Sequence, residues 1–452
     1  MGSAPKRPNF LIIVADDLGY SDTGPFGSEI ATPTPDRLAG SGIRLTNFHT
    51  ASACSPTRSM LFSGTDNHIA GLGQMAEHMD SSVDYKDRPG YEGYLNFRVA
   101  ALSEILQDAG YRTIMSGKWY PPCSRGFDKS FVYLSGCGNH FNYEPQLEDP
   151  SHCIFTPMNG GRFWMEDDRH LDRTTDLPKD FYSTTTFTDR QLDYLSARED
   201  TNQPFFAYLA FTAPIGPCRP RARSSTKRRL KRLIELLVPE DVEAAPMASK
   251  SEWNQMSAEE RAASARKMEV YAAMVDLIDQ NIGRLDNTFI LFMSDNGAEG
   301  ALLEALPVMG GSATVTEIIN KYYNNEIDNM GMADSYIWYG PAWAFAAMAP
   351  SRGFKTWITE GGIRCPCIVR YPPFGRPGSH TDSFATVMPC FRLSRDPSGP
   401  WKALYMTAPR GKDRWELYNV AQDPGELHDL AETEPEILQR LIRHWECGDW
   451  DV

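Results

Sequence analysis

Three apolar runs restrict the folds open to this chain. Asn9 to Ala15, Pro204 to Phe211 and Thr288 to Met293 each have strand length and show no polar alternation. A strand with one wet face alternates. A run apolar on both faces belongs in a sheet covered on two sides, the usual setting of parallel strands. Helix signals recur between these runs. Thr34-Pro35-Asp36 opens a short helix that closes near Gly40 or Gly42. Val99 to Ala109 sets Val99, Leu102, Ile105 and Leu106 on one face, with Gly110 as C-terminal cap. Ser257-x-x-Glu260 is a capping box ahead of a stripe of Met268, Tyr271, Ala272, Val275 and Ile278. Ile43 to Phe48, Tyr111 to Ser116 and Cys365 to Tyr371 read as further strands. The alternation of the two element types predicts an α/β architecture.

The 452 residues accommodate one large domain and one small one. The expected division is 1–390 and 391–452, because the pattern changes near Phe391. Beyond that point Trp401 to Met406 and Arg414 to Val420 read as antiparallel strands, Asp423-Pro424-Gly425 as a turn, and Thr433 to Trp445 as a terminal helix. Phe127 to Asp180, rich in Gly, Asn and Asp, reads as a long irregular insertion that helps to wall a pocket. A net charge of −14 argues against a nucleic-acid partner, and the eight Lys/Arg between Arg219 and Arg232 read as a solvated surface. Nine scattered cysteines show no disulfide framework. The longest apolar stretch, Tyr336 to Pro350, is too short to span a bilayer, so no membrane partner is expected. Met1 to Asn9 lacks the apolar centre of a signal peptide, and the expected location is cytoplasmic.

The first and third apolar runs end in hard oxygen donors, Asp16-Asp17 and Asp295-Asn296. Ligand sites of open α/β sheets collect at the carboxyl ends of strands. Adjacent carboxylates there repel unless a cation or cationic side chains hold them, and an all-oxygen set suits Ca²⁺ or Mg²⁺. Cys54 stands just ahead of another apolar run, with Pro56 suited to a first helical turn. The thiol would face the positive end of that helix, and Arg58, one turn on, shares its side. Thiol, guanidinium and free amides then converge on a spot the size of a small anion.

Cys54-x-Pro56-x-Arg58, closed by Ser63-Gly64, resembles the signature of the type I sulfatases, and within them the arylsulfatase group. The likeness continues through Gly117-Lys118-Trp119, Ser294-Asp295-Asn296-Gly297, Lys355, Glu360-Gly361-Gly362-Ile363-Arg364 and Asp423-Pro424-Gly425-Glu426. It implies an alkaline-phosphatase-like mixed sheet flanked by helices, with a small C-terminal α+β subdomain. It implies hydrolysis of small-molecule sulfate monoesters, with Cys54 oxidised to formylglycine by a formylglycine-generating enzyme. The aldehyde hydrate would be the nucleophile, and its second hydroxyl would release the sulfate that a plain Ser or Cys would keep as an ester. Asp16, Asp17, Asp295, Asn296 and residue 54 would hold one Ca²⁺, with Mg²⁺ as the alternative. Arg58, Lys118 and Lys355 would offset the negative charge of the ester.

Two positions depart from the family. Tyr120 and Ile215 stand where it has histidines, and neither side chain does acid–base work near neutral pH. Pro121-Pro122-Cys123, the basic segment after Ile215 and the abrupt approach to Thr288 also read as altered sequence. Two other readings therefore stand beside the first: a catalytically impaired sulfatase homologue, and a phosphodiesterase or phosphonate hydrolase of the same superfamily.

Overall fold

The computed structural model describes residues 7–446 apart from 76–78, 80–84, 86–87, 120–124, 135–137, 149–162, 198–201, 215–255, 281–286, 301–314, 388–399 and 407–411. The three apolar runs become β1 (Asn9–Ala15), β7 (Phe205–Ala210) and β8 (Thr288–Ser294), and β1 lies between the other two, parallel to both. The main sheet also holds β2 (Ile43–His49), β3 (Arg112–Lys118), β4 (Lys129–Tyr133), β5 (Trp164–Glu166), β6 (Arg169–Leu171), β9 (Arg364–Arg370) and β10 (Ser379–Thr381). Its order is β10-β2-β9-β8-β1-β7-β3-β4-β5-β6, with β11 (Ala385–Thr386) also paired to β2.

Period-two alternation builds two cores from one strand. Leu11, Ile13 and Ala15 enter one core; Ile12 and Val14 enter the other. On the first side pack α1 (Pro33–Ser41), α4 (Ser183–Ser196) and α5 (Ala258–Gln280); on the second pack α2 (Cys54–Ser63) and α3 (Leu102–Asp108). The α5 capping box forms as the sequence predicts: Glu260 N–H donates to Ser257 Oγ (3.1 Å), and Ser257 N–H donates to Glu260 Oε2 (2.7 Å). Helices α6 (Val315–Tyr322), α7 (Pro341–Met348) and the single turn α8 (Glu360–Ile363) lie between β8 and β9.

The sheet is mixed, as the resemblance implies, because β9 runs antiparallel to both β2 and β8. One expectation needs correction. The stretch from Phe127 to Asp180 is not wholly irregular, since it supplies β4, β5 and β6, extending the sheet beyond β3. The last two strands have three residues each, too few to register as a period. Helix α4 also escapes a propensity reading: Ser183-Thr184-Thr185-Thr186 is a weak helix former, and burial of Thr184, Phe187 and Thr188 stabilises it instead.

The C-terminal part pairs β12 (Trp401–Met406) with β13 (Arg414–Asn419) in antiparallel fashion and covers them with α9 (Pro435–Glu446) around Leu417, Ala431 and Leu438. The expected boundary near residue 391 lies outside the described residues, as do Tyr120, Pro121 to Cys123, Ile215 and the basic segment 219–232. Among the described residues no helix is long and apolar enough to cross a membrane.

Gly117 fixes the approach of β3 to β7. Its φ is +120°, and a Cβ there would lie 1.8 Å from the Ala210 carbonyl oxygen. Gly117→Ala is expected to destabilise the fold by more than about 3 kcal/mol, measured by urea unfolding. An unchanged midpoint would contradict this strand pairing.

Candidate active site

Strand order brings the polar ends of β1, β8 and β3 to one rim. Asp16 and Asp17 follow β1, Asp295 and Asn296 follow β8, and Lys118 ends β3. Cys54 arrives as the first residue of α2, after Ala53 as N-cap. Asp17 holds a left-handed backbone (φ +60°), which Asp tolerates better than most residues and which redirects the chain as it leaves β1. Asp16, Asp17, Cys54 and Asp295 are all buried, and one donor atom from each lies within 4.8 Å of the others.

Cations interleave with these carboxylates. Lys118 Nζ donates to both oxygens of Asp16 (2.9 and 2.8 Å). Arg58 donates through Nε (2.9 Å) and one terminal nitrogen (2.7 Å) to Asp295 Oδ2. Its other terminal nitrogen donates to Tyr208 Oη (3.2 Å) and to the Lys118 carbonyl (3.3 Å). Lys355 Nζ lies between Asp17 Oδ2 (2.7 Å) and Glu299 Oε2 (2.8 Å). Every predicted site residue is therefore present at one centre. Burial of this many charges is tolerated only where each meets an opposite one.

The sequence reading missed Glu299 and Tyr208. Glu299 lies three residues past Asn296 with nothing local to mark it. Tyr208 did carry a mark, as the one hydroxyl inside the apolar run Phe205 to Phe211.

Burial pushes Asp16 and Asp17 above the usual carboxylate range, against the pull of Lys118 and Lys355 respectively. Burial acts the same way on Asp295, but Arg58 and Lys118 together carry it below that range. Burial also lifts the Cys54 thiol well above its ordinary value. An unmodified Cys54 is therefore a protonated thiol at neutral pH and a poor nucleophile.

The donor set fits a metal ion. Asn296 Oδ1 is buried with no protein partner, although its Nδ2 donates to Asp17 Oδ1 and to the Gly297 carbonyl. An amide oxygen left open beside three carboxylates suits a hard divalent cation. Sulfur at position 54 is the one soft donor of the five, and an oxygen there would make the set uniform.

The Sulfatase family model matches residues 8–393. An uncharacterized sulfatase of Schizosaccharomyces pombe is 47% identical over 97% of this chain and 93% of its own length. The arylsulfatase of Klebsiella aerogenes is 33% identical over 82% of each chain. The crystal structure of Ps i-CgsB in complex with k-i-k-neocarrahexaose superposes with a TM-score of 0.64 at 21% identity, covering 98% of this chain and 93% of that one. The chain belongs to the sulfatase family. It is a sulfuric ester hydrolase with the alkaline-phosphatase-like fold of that family. The alignment with the S. pombe relative spans 528 positions, more than the 452 residues here, so that relative carries internal segments this chain lacks.

The turn after Asp17 is braced from behind. Asp22 Oδ2 accepts from Gly19 N–H (2.9 Å) and from Tyr271 Oη (2.5 Å). Burial pushes the Asp22 carboxyl up to about 6, from an ordinary 3.8. With the folded pKa above the unfolded one, the proton favours the folded state. This contribution is full below the unfolded pKa and is lost as pH rises through the folded one, by about 3 kcal/mol. Asp22→Asn keeps an acceptor without the charge. Between acidic and neutral pH it is expected to lose less stability than the parent by that amount, read from urea unfolding at each pH.

Proposed function

We propose that this sulfatase works through formylglycine at position 54 and one Ca²⁺. The carrying observation is that Cys54 lies among Asp16, Asp17 and Asp295, with Arg58, Lys118 and Lys355 paired to those same carboxylates. Asp16, Asp17, Asp295 and Asn296 would hold the ion, which supplies Lewis-acid stabilisation of a sulfate oxygen when bound. A formylglycine hydrate at position 54 would supply one hydroxyl to attack sulfur as the alcohol leaves, and a second whose deprotonation returns the aldehyde and frees the sulfate. A formylglycine-generating enzyme would make the conversion.

The chain's own residues have distinct tasks in this reading. Lys118 and Arg58 are directed into the carboxylate cluster, and Lys355 closes it from the side of Glu299. Together they neutralise the ester as charge builds on its oxygens. Asp17 Oδ1 lies 3.7 Å from Cys54 Sγ and is placed to take the proton of the attacking hydroxyl. Residue 54 opens α2, so the free amides of its first turn lie beside it, where the helix dipole favours an anion.

Mass spectrometry of the peptide containing Cys54 is the direct test. Conversion of the thiol to the aldehyde is expected, and a purely unmodified peptide from active protein would remove this mechanism. Chelation is expected to lower both turnover and melting temperature, with Ca²⁺ restoring them more fully than Mg²⁺.

Two features favour the impaired-homologue reading as the second. The resemblance places histidines at Tyr120 and Ile215, and the chain is shorter internally than its S. pombe relative. Tyr120→His combined with Ile215→His is expected to raise kcat on an aryl sulfate by about a hundredfold, the ordinary contribution of a positioned acid–base group. No gain would mean that other groups do that work.

A further inference from the structure

Two motifs have no place in the chemistry above: Glu360-Gly361-Gly362-Ile363-Arg364, and Asp423-Pro424-Gly425-Glu426 of the C-terminal part. They meet in space. Glu360 N–H donates to Glu426 Oε2 (2.9 Å). Lys402, on β12, lies between the two carboxylates, 2.8 Å from Glu360 Oε1 and 3.0 Å from Glu426 Oε1. His49, at the end of β2, meets the other oxygen of Glu360 at 2.9 Å. Glu360 and Glu426 are buried at 2% and 1% exposure, so this is an interior ion network joining the two parts of the chain.

The network closes the neck of the loop that carries Lys355. Arg352 O accepts from Gly361 N–H (2.8 Å) and from Thr359 Oγ1 (2.6 Å), which pins the two ends of the loop together. Lys355 N–H donates to Ala298 O (3.0 Å), and Thr356 N–H donates to Ser52 O (2.8 Å), two residues before Cys54. Gly297 N–H donates to Gly362 O (3.0 Å), so the turn bearing Asp295 and Asn296 leans on the same segment. Thr356 sits at φ +71°, a left-handed conformation that a β-branched residue adopts only under constraint. Such a residue costs about 1–3 kcal/mol and persists where its surroundings over-determine it. Glu426 is left-handed as well, at φ +50°. The loop thus departs from its own backbone preference at Thr356, and contacts from Ala298 and Ser52 hold it there together with the bonds that close its neck.

We propose that Lys402 and Glu426 are positioning residues: through Glu360 they hold the loop of Lys355 so that its ammonium meets the sulfate group. The C-terminal part then completes the active site without touching substrate. This rests on the reading of Lys355 as a sulfate ligand.

The test uses the metal-loaded protein and inorganic sulfate as probe, with affinity read from sulfate-dependent thermal shifts. Lys402→Met with Glu426→Gln removes one charge of each sign, and Glu360 keeps His49 at its other oxygen. In the parent background this pair is expected to weaken sulfate binding about tenfold, and in a Lys355→Ala background by less than about twofold, since effects that act through one group do not add. An equal loss in both backgrounds, or no loss in the parent, overturns the proposal. If Lys355→Ala alone leaves sulfate affinity unchanged, Lys355 is not a sulfate ligand and the inference falls with that reading. Should the double variant fail to fold, Glu426→Gln alone, which keeps the shape and one acceptor oxygen without the charge, is compared in the same two backgrounds and judged by the same pattern.

Discussion

Everything at the rim of the sheet depends on charge balance in a place without water. Asp16, Asp17 and Asp295 are essentially inaccessible to solvent, and three such carboxylates cannot share a few ångströms unaided. Lys118, Arg58 and Lys355 come from β3, α2 and the segment before α8, so the balance requires the whole sheet to be assembled. A divalent cation would tilt this balance further toward ionised carboxylates, lowering the two that burial now raises. Fold and centre are therefore parts of one electrostatic problem. Removing one cation leaves a carboxylate buried without a counter-charge, which is far more costly than loss of an exposed ion pair.

The sequence disclosed most of this because the centre is built on strands that announce themselves. Continuous apolar runs such as Phe289 to Met293 are legible without neighbours, and acids at their ends follow the general grammar of parallel sheets. The hairpin β12–β13 and the capping box of α5 were legible for similar local reasons. What stayed hidden was information carried by tertiary contact. The direction of β9 depends on which strands flank it, and β5 and β6 exist because β4 offers an edge. Glu299 resembles any surface acid until Lys355 is seen beside it.

The family resemblance named motifs whose spacing alone said little. Glu360 and Glu426 are 66 residues apart, in elements of different parts of the chain, and only the structure shows that they share one hydrogen bond. Gly297 belongs with them: a Cβ there would lie 2.0 Å from the Gly361 carbonyl oxygen, so the turn and the loop approach as closely as backbones do. Short motifs far apart in sequence are thus two sides of one contact.

Cys54 is 3% exposed, packed at the mouth of α2 with chain on every side. Any catalyst that reworks its sulfur needs several residues around it extended and within reach, which the finished molecule does not offer. If residue 54 is converted as proposed, burial sets the order: chemistry on the open polypeptide first, closure of the sheet afterwards. On that proposal a molecule that folds first would be sealed with its thiol intact, and the competent fraction would be set by a race between two rates.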